Sequence, residues 1–329
     1  MFFTIVIPAF NAATTLERAV TSVYTNDVAS LIEIIIVDDG STDNTHILAL
    51  QLAGKYKNIR VLHQKNTGPN MARQAGTIAA TGKYIGFLDS DDYLIPNSYD
   101  YLLSILQNKN VDIIEYGYEI VDKDNEKHGE KTFSNKILSG KEIYCFYVSN
   151  HARTNALWNK IIRKELFFDV IFPNLKKGED LCVSIQLMSK AKSYICTNKK
   201  CYNYVLSQSG LCNTRSVSSV VDDIKAGEFF YQFNMLQDPS LASFPLAHIV
   251  DRIIVADEHF YENSKRRKDY NNELRNKFKF YFSVLCREKI NKSLLKVLLK
   301  CFLYNILGIS IYYRIKKIYV NSISRYLRS

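Results

Sequence analysis

Three carboxylates fall within four positions at the end of an apolar run in YIGFLDSDDYL, Tyr84 to Leu94: Asp89, Asp91 and Asp92. Like charges this close repel, so either they face water at a loop tip or something positive sits among them. In an extended Asp-x-Asp, side chains two apart point the same way, so Asp89 and Asp91 can address one ion or one nucleotide. Mg²⁺ or Mn²⁺ suits such a pair: hard cations take oxygen ligands, often one or two carboxylates plus substrate phosphates. A second acidic pair, Asp38 and Asp39, closes IEIIIVDDG, and a third, Glu179 and Asp180, follows Gly178. Other chemistries lack their residues. No G-x-G-x-x-G follows the first apolar run and no G-x-x-x-x-G-K-[ST] occurs, which excludes dinucleotide and P-loop sites. The DDGSTD run lacks the alternating acids and closing Glu of a calcium loop.

The elements that must carry these groups alternate. FFTIVIPAF reads as a strand stopped by Pro8 and Asn11, and Thr14-x-x-Glu17 reads as a capping box opening a helix. IEIIIVDDG is a second strand, nearly continuous in Ile and Val, as expected when helices cover both sheet faces. STDNTHILALQLAGKY follows as a helix, IRVLHQ as a strand, and GPNMARQAGTIAATG as a helix with Pro69 in its first turn. Its face of Ala72, Ala75, Gly76 and Ala79 permits close packing. KYIGFLDSDD is the fourth strand. The pattern β-α-β-α-β-α-β predicts an α/β fold with a doubly wound, mainly parallel, Rossmann-like sheet. Ligands bind such sheets beyond the carboxyl ends of the strands. Three strand ends deliver Pro8 to Asn11, Asp38 with Asp39, and Asp89 to Asp92 to one rim. After residue 100, SYDYLLSILQ reads as a helix, VDIIEYGYEIV as a strand, KDNEKHGEK as a polar hairpin or loop, and GEDLCVSIQLMSKA as a helix. From about 217 the signals are mostly helical.

An apolar content of 47% in 329 residues supports a sizeable core. Seven cysteines, none in a Cys-x-x-Cys pair, argue against a disulfide framework or a cysteine zinc site. MFFTIVIPAFN lacks the basic start of a signal peptide, and no apolar stretch reaches the roughly 18–20 residues of a membrane span. Of the net +10, eight units come from residues 290–329, which hold no Asp or Glu, leaving +2 for the rest. A uniformly basic nucleic-acid binder has a different charge distribution, so no nucleic-acid partner is expected.

TIVIPAFNAATTLERAVTSV, IIIVDDGSTDNT, NTGPNMARQAG, GKYIGFLDSDD and GED together resemble the family 2 glycosyltransferases of the GT-A fold, over about residues 1–210. The resemblance implies a metal-dependent, inverting transfer from a nucleotide sugar, usually a UDP-sugar, to an acceptor hydroxyl. Position by position, Pro8, Ala9 and Asn11 would line the nucleotide pocket. Asp39, with Asp38 beside it, would bind the base, and Asn66, Gly68 and Arg73 would border the nucleoside. Asp89-Ser90-Asp91 would be the Asp-x-Asp motif, Asp89 on the ribose side and Asp91 on the metal (Mn²⁺ or Mg²⁺) and diphosphate. Asp180 would be the catalytic base, with Glu179 orienting it or holding the acceptor. At a helix N-terminus Asp180 is expected to stay charged and available as a base. LWNKIIRKEL resembles the family's Trp-Asn-Lys segment, making Trp158 either an acceptor platform or a core residue. CYNYVLSQSG adds Tyr202, Tyr204 and Ser209 as acceptor-side candidates. None of His151, His248 or His259 matches the metal-ligating histidine of some GT-A enzymes, and the six histidines read as structural or exposed.

The expected organisation is a catalytic domain over 1–215, with a nucleotide-sugar half (1–100) and an acceptor half (101–215), then a helical region over 216–329. Its tail, 290–329, sets Lys292, Lys296 and Lys300 on one helical face with Leu295, Leu298, Leu299 and Phe302 on others. This suits an interfacial helix on an anionic membrane surface or a helix packed on the catalytic domain. By analogy with the family, the expected setting is the inner face of a bacterial cell membrane, building a surface polysaccharide or lipid-linked glycan. Two rival readings are a nucleotidyltransferase on a similar sheet, which needs a Gly-rich basic loop that PAFNAATTLE lacks, and a non-catalytic membrane-peripheral protein, against which intact Asp89, Asp91 and Asp180 argue.

Overall fold

The computed structural model describes residues 1–149, 154–206, 216–262 and 267–287, and the side chains among them except those of 217 and 257–273. Ser209 and the tail 290–329 therefore lie outside the described residues.

The first strands form where expected: β1 (Phe3–Ala9), β2 (Ile32–Asp38), β3 (Ile59–His63) and β4 (Tyr84–Phe87), separated by α1 (Leu16–Val23), α2 (Thr45–Lys55) and α3 (Pro69–Ala79). Every residue of β1, β2 and β4 is buried, as the Ile/Val-rich runs require of a sheet covered on both faces. β1 pairs in parallel with β2 and β4, and β2 with β3.

Two local expectations change. β1 continues through Pro8, paired with Val37, rather than stopping there. The Val6 carbonyl accepts the Leu88 N–H and the Ala9 carbonyl accepts the Asp39 N–H. Alternation thus turns Pro8 toward the β4 side, beyond the last β1–β4 pair at Val6 and Phe87, where its missing N–H removes no ladder bond. The capping box at Thr14 does not form. Thr15 occupies the cap without a side-chain bond, because the Ala12 carbonyl accepts the N–H groups of both Thr15 and Leu16 and starts the turn by backbone alone.

Close packing of α3 on β1 rests on Gly76. A Cβ there would fall 2.3 Å from Val6 Cγ1, inside any allowed contact.

The second half adds β5 (Tyr93–Leu94), α4 (Ser98–Asn108), β6 (Ile113–Val121), β7 (Lys127–Lys131), β8 (Lys136–Ser139), α5 (Lys141–Ser149), β9 (Lys160–Arg163), α6 (Glu179–Lys190) and β10 (Ser193–Val205). KDNEKHGEK resolves into a hairpin, with β7 antiparallel to β6. The main path of the sheet runs β3-β2-β1-β4-β9-β6-β10-β5. β1 to β4, β6 and β10 share one direction; the reversed β9 joins the two halves. The architecture is mixed α/β with a mostly parallel sheet and a helical C-terminal part.

The chain packs as two compact units. The first contains the sheet and its helices. The second takes Lys176–Gly178 together with α7 (Val217–Gln237), α8 (Ser243–Glu262) and α9 (Arg267–Leu285). Its core is Val220, Ile224, Leu246, Ile249, Val250, Ile253, Leu274 and Phe278, with neighbouring apolar residues.

Candidate active site

The carboxyl ends of β1, β2 and β4 converge as the topology demands, and each predicted residue occupies a distinct place. Asn11 sits in the left-handed region at φ 50, a conformation asparagine tolerates. Its Oδ1 accepts the Thr42 N–H at 2.9 Å and its own N–H donates to Ser41 Oγ at 3.0 Å, fastening the loop after β1 to the loop after β2. Asp39 is buried and spent on the next loop. Oδ1 accepts from the Thr67 N–H at 2.9 Å and Gln64 Nε2 at 2.7 Å; Oδ2 accepts from the Gly68 N–H at 2.8 Å. This loop rides over Gly40, whose φ of +70 suits glycine and where a Cβ would meet the Asn66 nitrogen at 2.7 Å. Asn66 is exposed, and Gly68 caps α3 with Pro69 behind it.

The three carboxylates after β4 divide their roles. Asp92 is buried: Oδ2 accepts the Tyr202 hydroxyl at 2.7 Å and Oδ1 accepts the Val205 N–H at 2.7 Å. Burial, then the charges of Asp89 and Asp91, push its pKa well above the ordinary carboxylate value. Tyr202, fully buried, also accepts the Asp89 N–H at 3.1 Å and so locks the turn that presents the other two acids. Ser90 is half-buried between them. Asp89 pairs with Arg73 Nη2 at 2.7 Å. Asp91 is exposed and, among the described residues, has no Lys, Arg or His nitrogen within ion-pair distance, while Arg18 Nη2 holds its backbone carbonyl at 2.6 Å. Loss of hydration and the Asp89 charge raise the Asp91 pKa. An exposed carboxylate with unspent lone pairs beside a second, already neutralised one fits a hard divalent cation.

Arg73 ties this turn to the acidic pair of α6. It is 5% exposed, and its Nη1 lies 3.5 Å from Asp180 Oδ1. Burial alone would lower its pKa; the charges of Asp89, Asp180 and Glu179 outweigh that and raise it. Asp180 Oδ1, Arg73 Nη1 and Arg73 Nε are buried without hydrogen bonds, which leaves them free to meet a water, an ion or a ligand. Burial raises the pKa of Glu179 to about 7, with Asp180 next to it adding to the rise. Asp180 is also raised, by burial first, with Arg73 opposing. Desolvation thus acts on Asp180 against the Arg73 and Lys160 charges and the Leu157 N–H, which favour its ionised form. A base with a raised pKa is the better proton acceptor near neutrality.

Trp158 is 9% exposed. It stacks on Tyr202 (4.6 Å between centroids, 23°) and Tyr204 (5.7 Å, 19°) and takes the edge of Tyr118 at 4.7 Å. Sequence reasoning missed what lies beneath it. Lys160, fully buried, donates to the carbonyls of Thr154 (3.1 Å) and Ala156 (2.7 Å) and pairs with Glu115 at 3.2 Å. It pins the turn that carries Trp158 and the Leu157 N–H facing Asp180. Its only sequence signal is its place in the Trp-Asn-Lys segment.

Comparison with known proteins gives the family and the fold. Residues 4–169 match the profile of "Glycosyl transferase family 2". An uncharacterized glycosyltransferase YibD of Escherichia coli is 27% identical over 212 residues, which are 61% of this chain and 60% of that protein. Glycosyltransferase GlyG of Streptococcus pneumoniae is 28% identical over 232 residues, 67% of this chain and 76% of that one. The minor teichoic acid biosynthesis protein GgaB of Bacillus subtilis is 26% identical over 239 residues, 71% of this chain but 25% of GgaB. The crystal structure of S. aureus TarS 1-349 in complex with UDP-GlcNAc superposes with a TM-score of 0.70 at 18% identity, covering 98% of this chain and 92% of that one. The fold is thus that of the GT-A glycosyltransferases, and the chain belongs to glycosyltransferase family 2.

Proposed function

We propose that this chain transfers a sugar from a nucleotide sugar of the UDP type to an acceptor hydroxyl with inversion, in the synthesis of a surface polysaccharide or lipid-linked glycan. The observation that carries the reading is Arg73, one buried guanidinium shared by Asp89 on the donor side and Asp180 on the acceptor side. The name of GgaB and the UDP-GlcNAc in the TarS crystals support the substrate class.

In this reading Pro8, Ala9, Asn11 and the Asp39-anchored loop with Asn66 and Gly68 frame the nucleoside. Asp91, with Asp89, would hold Mn²⁺ or Mg²⁺, and the ion would supply Lewis-acid neutralisation of the diphosphate's charge. Arg73 adds a fixed positive charge at the same place without reorganisation. Asp180 takes the proton of the acceptor hydroxyl as it attacks from the face opposite the leaving group. Glu179 shares that proton-accepting corner, and the Trp158–Tyr204 stack stands on the acceptor side.

Among the described residues no helix is long and apolar enough to cross a membrane. The basic tail is the proposed attachment to an anionic bilayer, and binding of the full chain to anionic but not neutral vesicles is the expected sign. The reading is tested with purified protein, Mn²⁺ and a panel of nucleotide sugars. One donor should release its nucleotide in an acceptor- and metal-dependent way, and consumption of none would overturn it.

A further inference from the structure

Two of the six histidines converge where nothing in the transfer chemistry uses them. His63 closes β3 and is the register partner of Asp38 at the end of β2; His46 is the second residue of α2. His63 Nδ1 lies 2.9 Å and His46 Nδ1 3.0 Å from the same oxygen, Oδ2 of Asp38. The imidazoles meet edge to face with centroids 4.8 Å apart. One ligand atom from each of the three residues falls within 4.8 Å of the others, the one such group of three His, Cys, Asp or Glu among the described residues.

Two features distinguish this cluster from a carboxylate collecting hydrogen bonds. The Asp38 side chain is 0% exposed and its other oxygen, Oδ1, is already held by the Ser41 N–H at 3.1 Å, so Oδ2 is aimed at the imidazoles by the protein itself. And although His63 Nδ1 makes a hydrogen bond with Oδ2, His46 Nδ1 at nearly the same distance makes none, leaving a buried nitrogen lone pair or proton with no directional partner. Both imidazoles remain partly open to solvent, 37% for His46 and 56% for His63, which gives an ion a way in and a water as a further ligand.

We infer that Asp38, His46 and His63 form a second metal site, for a borderline transition ion of the Zn²⁺ or Co²⁺ class, separate from the cation at Asp91. The donor set decides the class: two imidazoles and one carboxylate suit Zn²⁺ and its neighbours, whereas Mg²⁺ and Ca²⁺ prefer all-oxygen shells. Ligands about 2.0–2.1 Å from a tetrahedral ion lie about 3.3 Å apart, so the two nitrogen-to-Asp38 spacings of 2.9 and 3.0 Å need only a small outward shift, and all three ligand atoms lie within 4.8 Å of one another. The Ser41 N–H on Oδ1 is the kind of outer contact that orients a metal-binding carboxylate. Bound there, the ion fastens the ends of β2 and β3 to the first turn of α2, next to Asp39 and the loop it anchors.

The test uses untagged full-length protein and Co²⁺ alone, without nucleotide, so that its outcome is independent of the transferase reading. Wild type should take up one Co²⁺ with visible d–d absorption and no thiolate charge-transfer band, and Zn²⁺ should displace it. Asp91→Asn should leave that signal intact. His46→Ala and His63→Ala should each weaken binding by more than about tenfold, the loss expected when even a supporting contact is removed. His63→Gln, which retains an N–H donor for Asp38, guards against misfolding: Zn²⁺ should raise the unfolding temperature of wild type and not of this variant. Co²⁺ uptake unchanged in the histidine variants, absence of a d–d band, or a band lost in Asp91→Asn would each overturn the proposal.

Discussion

Arg73 Nη1 stands 3.5 Å from an Asp180 oxygen that has no hydrogen bond, while the other arm of the same guanidinium grips Asp89 at 2.7 Å. Asp89 and Asp180, 91 positions apart in sequence, thus share one counter-charge.

Replacing Arg73 should therefore disturb both. Arg73→Met is expected to lower kcat by at least about 100-fold, the usual loss when reacting groups are misplaced by an ångström. Since the Arg73 charge lowers the Asp180 pKa, its removal should move the acid limb of the pH–rate profile to higher pH. A kcat loss with an unmoved acid limb would show that Arg73 acts only on the donor.

Asp92 should behave unlike its neighbours. It is buried on Tyr202 and Val205, with its pKa raised by burial. A carboxyl whose folded pKa exceeds its unfolded value stabilises the fold below the unfolded pKa, near 4. That contribution is lost as pH rises through the folded pKa. Asp92→Asn, neutral at all pH, should retain most activity and flatten the decline of unfolding temperature on the alkaline side. Asp91→Asn should instead abolish metal-dependent turnover.

Glu179 obeys the same sign. Its pKa is raised to about 7 from an ordinary 4.5, so its stabilising contribution is complete below pH 4.5 and disappears as pH rises past 7. Glu179→Gln should raise the unfolding temperature more at pH 8 than at pH 5; thermal melts at the two pH values decide it.

Trp158, stacked on Tyr202 and Tyr204 and nearly buried, should be costly to truncate. Trp158→Ala is expected to destabilise the protein by about 3–5 kcal/mol, whereas Trp158→Phe should keep the fold and raise KM for the acceptor. Denaturant melts and acceptor titrations separate the two effects.

The parallel half of the sheet was legible because buried strands must be continuous in Ile and Val, and the acids at their ends because motif neighbours in sequence are neighbours in space. β10 was not legible as one strand: SYICTNKKCYNYV is broken by polar residues where its register with β6 shifts, between Cys196 and Lys200 and again before Tyr202. Arg73 was expected at the nucleoside, and the sequence carries no sign that it reaches Asp180, since that depends on how α3 and α6 approach across the sheet edge. The histidines read as structural or exposed, and the sequence carries no sign that two of them meet at Asp38. Only the β2–β3 register sets His63 opposite Asp38, and only the first turn of α2 adds His46.

The most direct test of the central claim, that one cleft handles both donor and acceptor, is nucleotide release and UDP binding measured side by side for wild type and Asp180→Asn with Mn²⁺. The account predicts transfer reduced by about 10²–10⁴-fold, the scale of a lost general base, with UDP affinity essentially unchanged. Transfer that survives the substitution would contradict it.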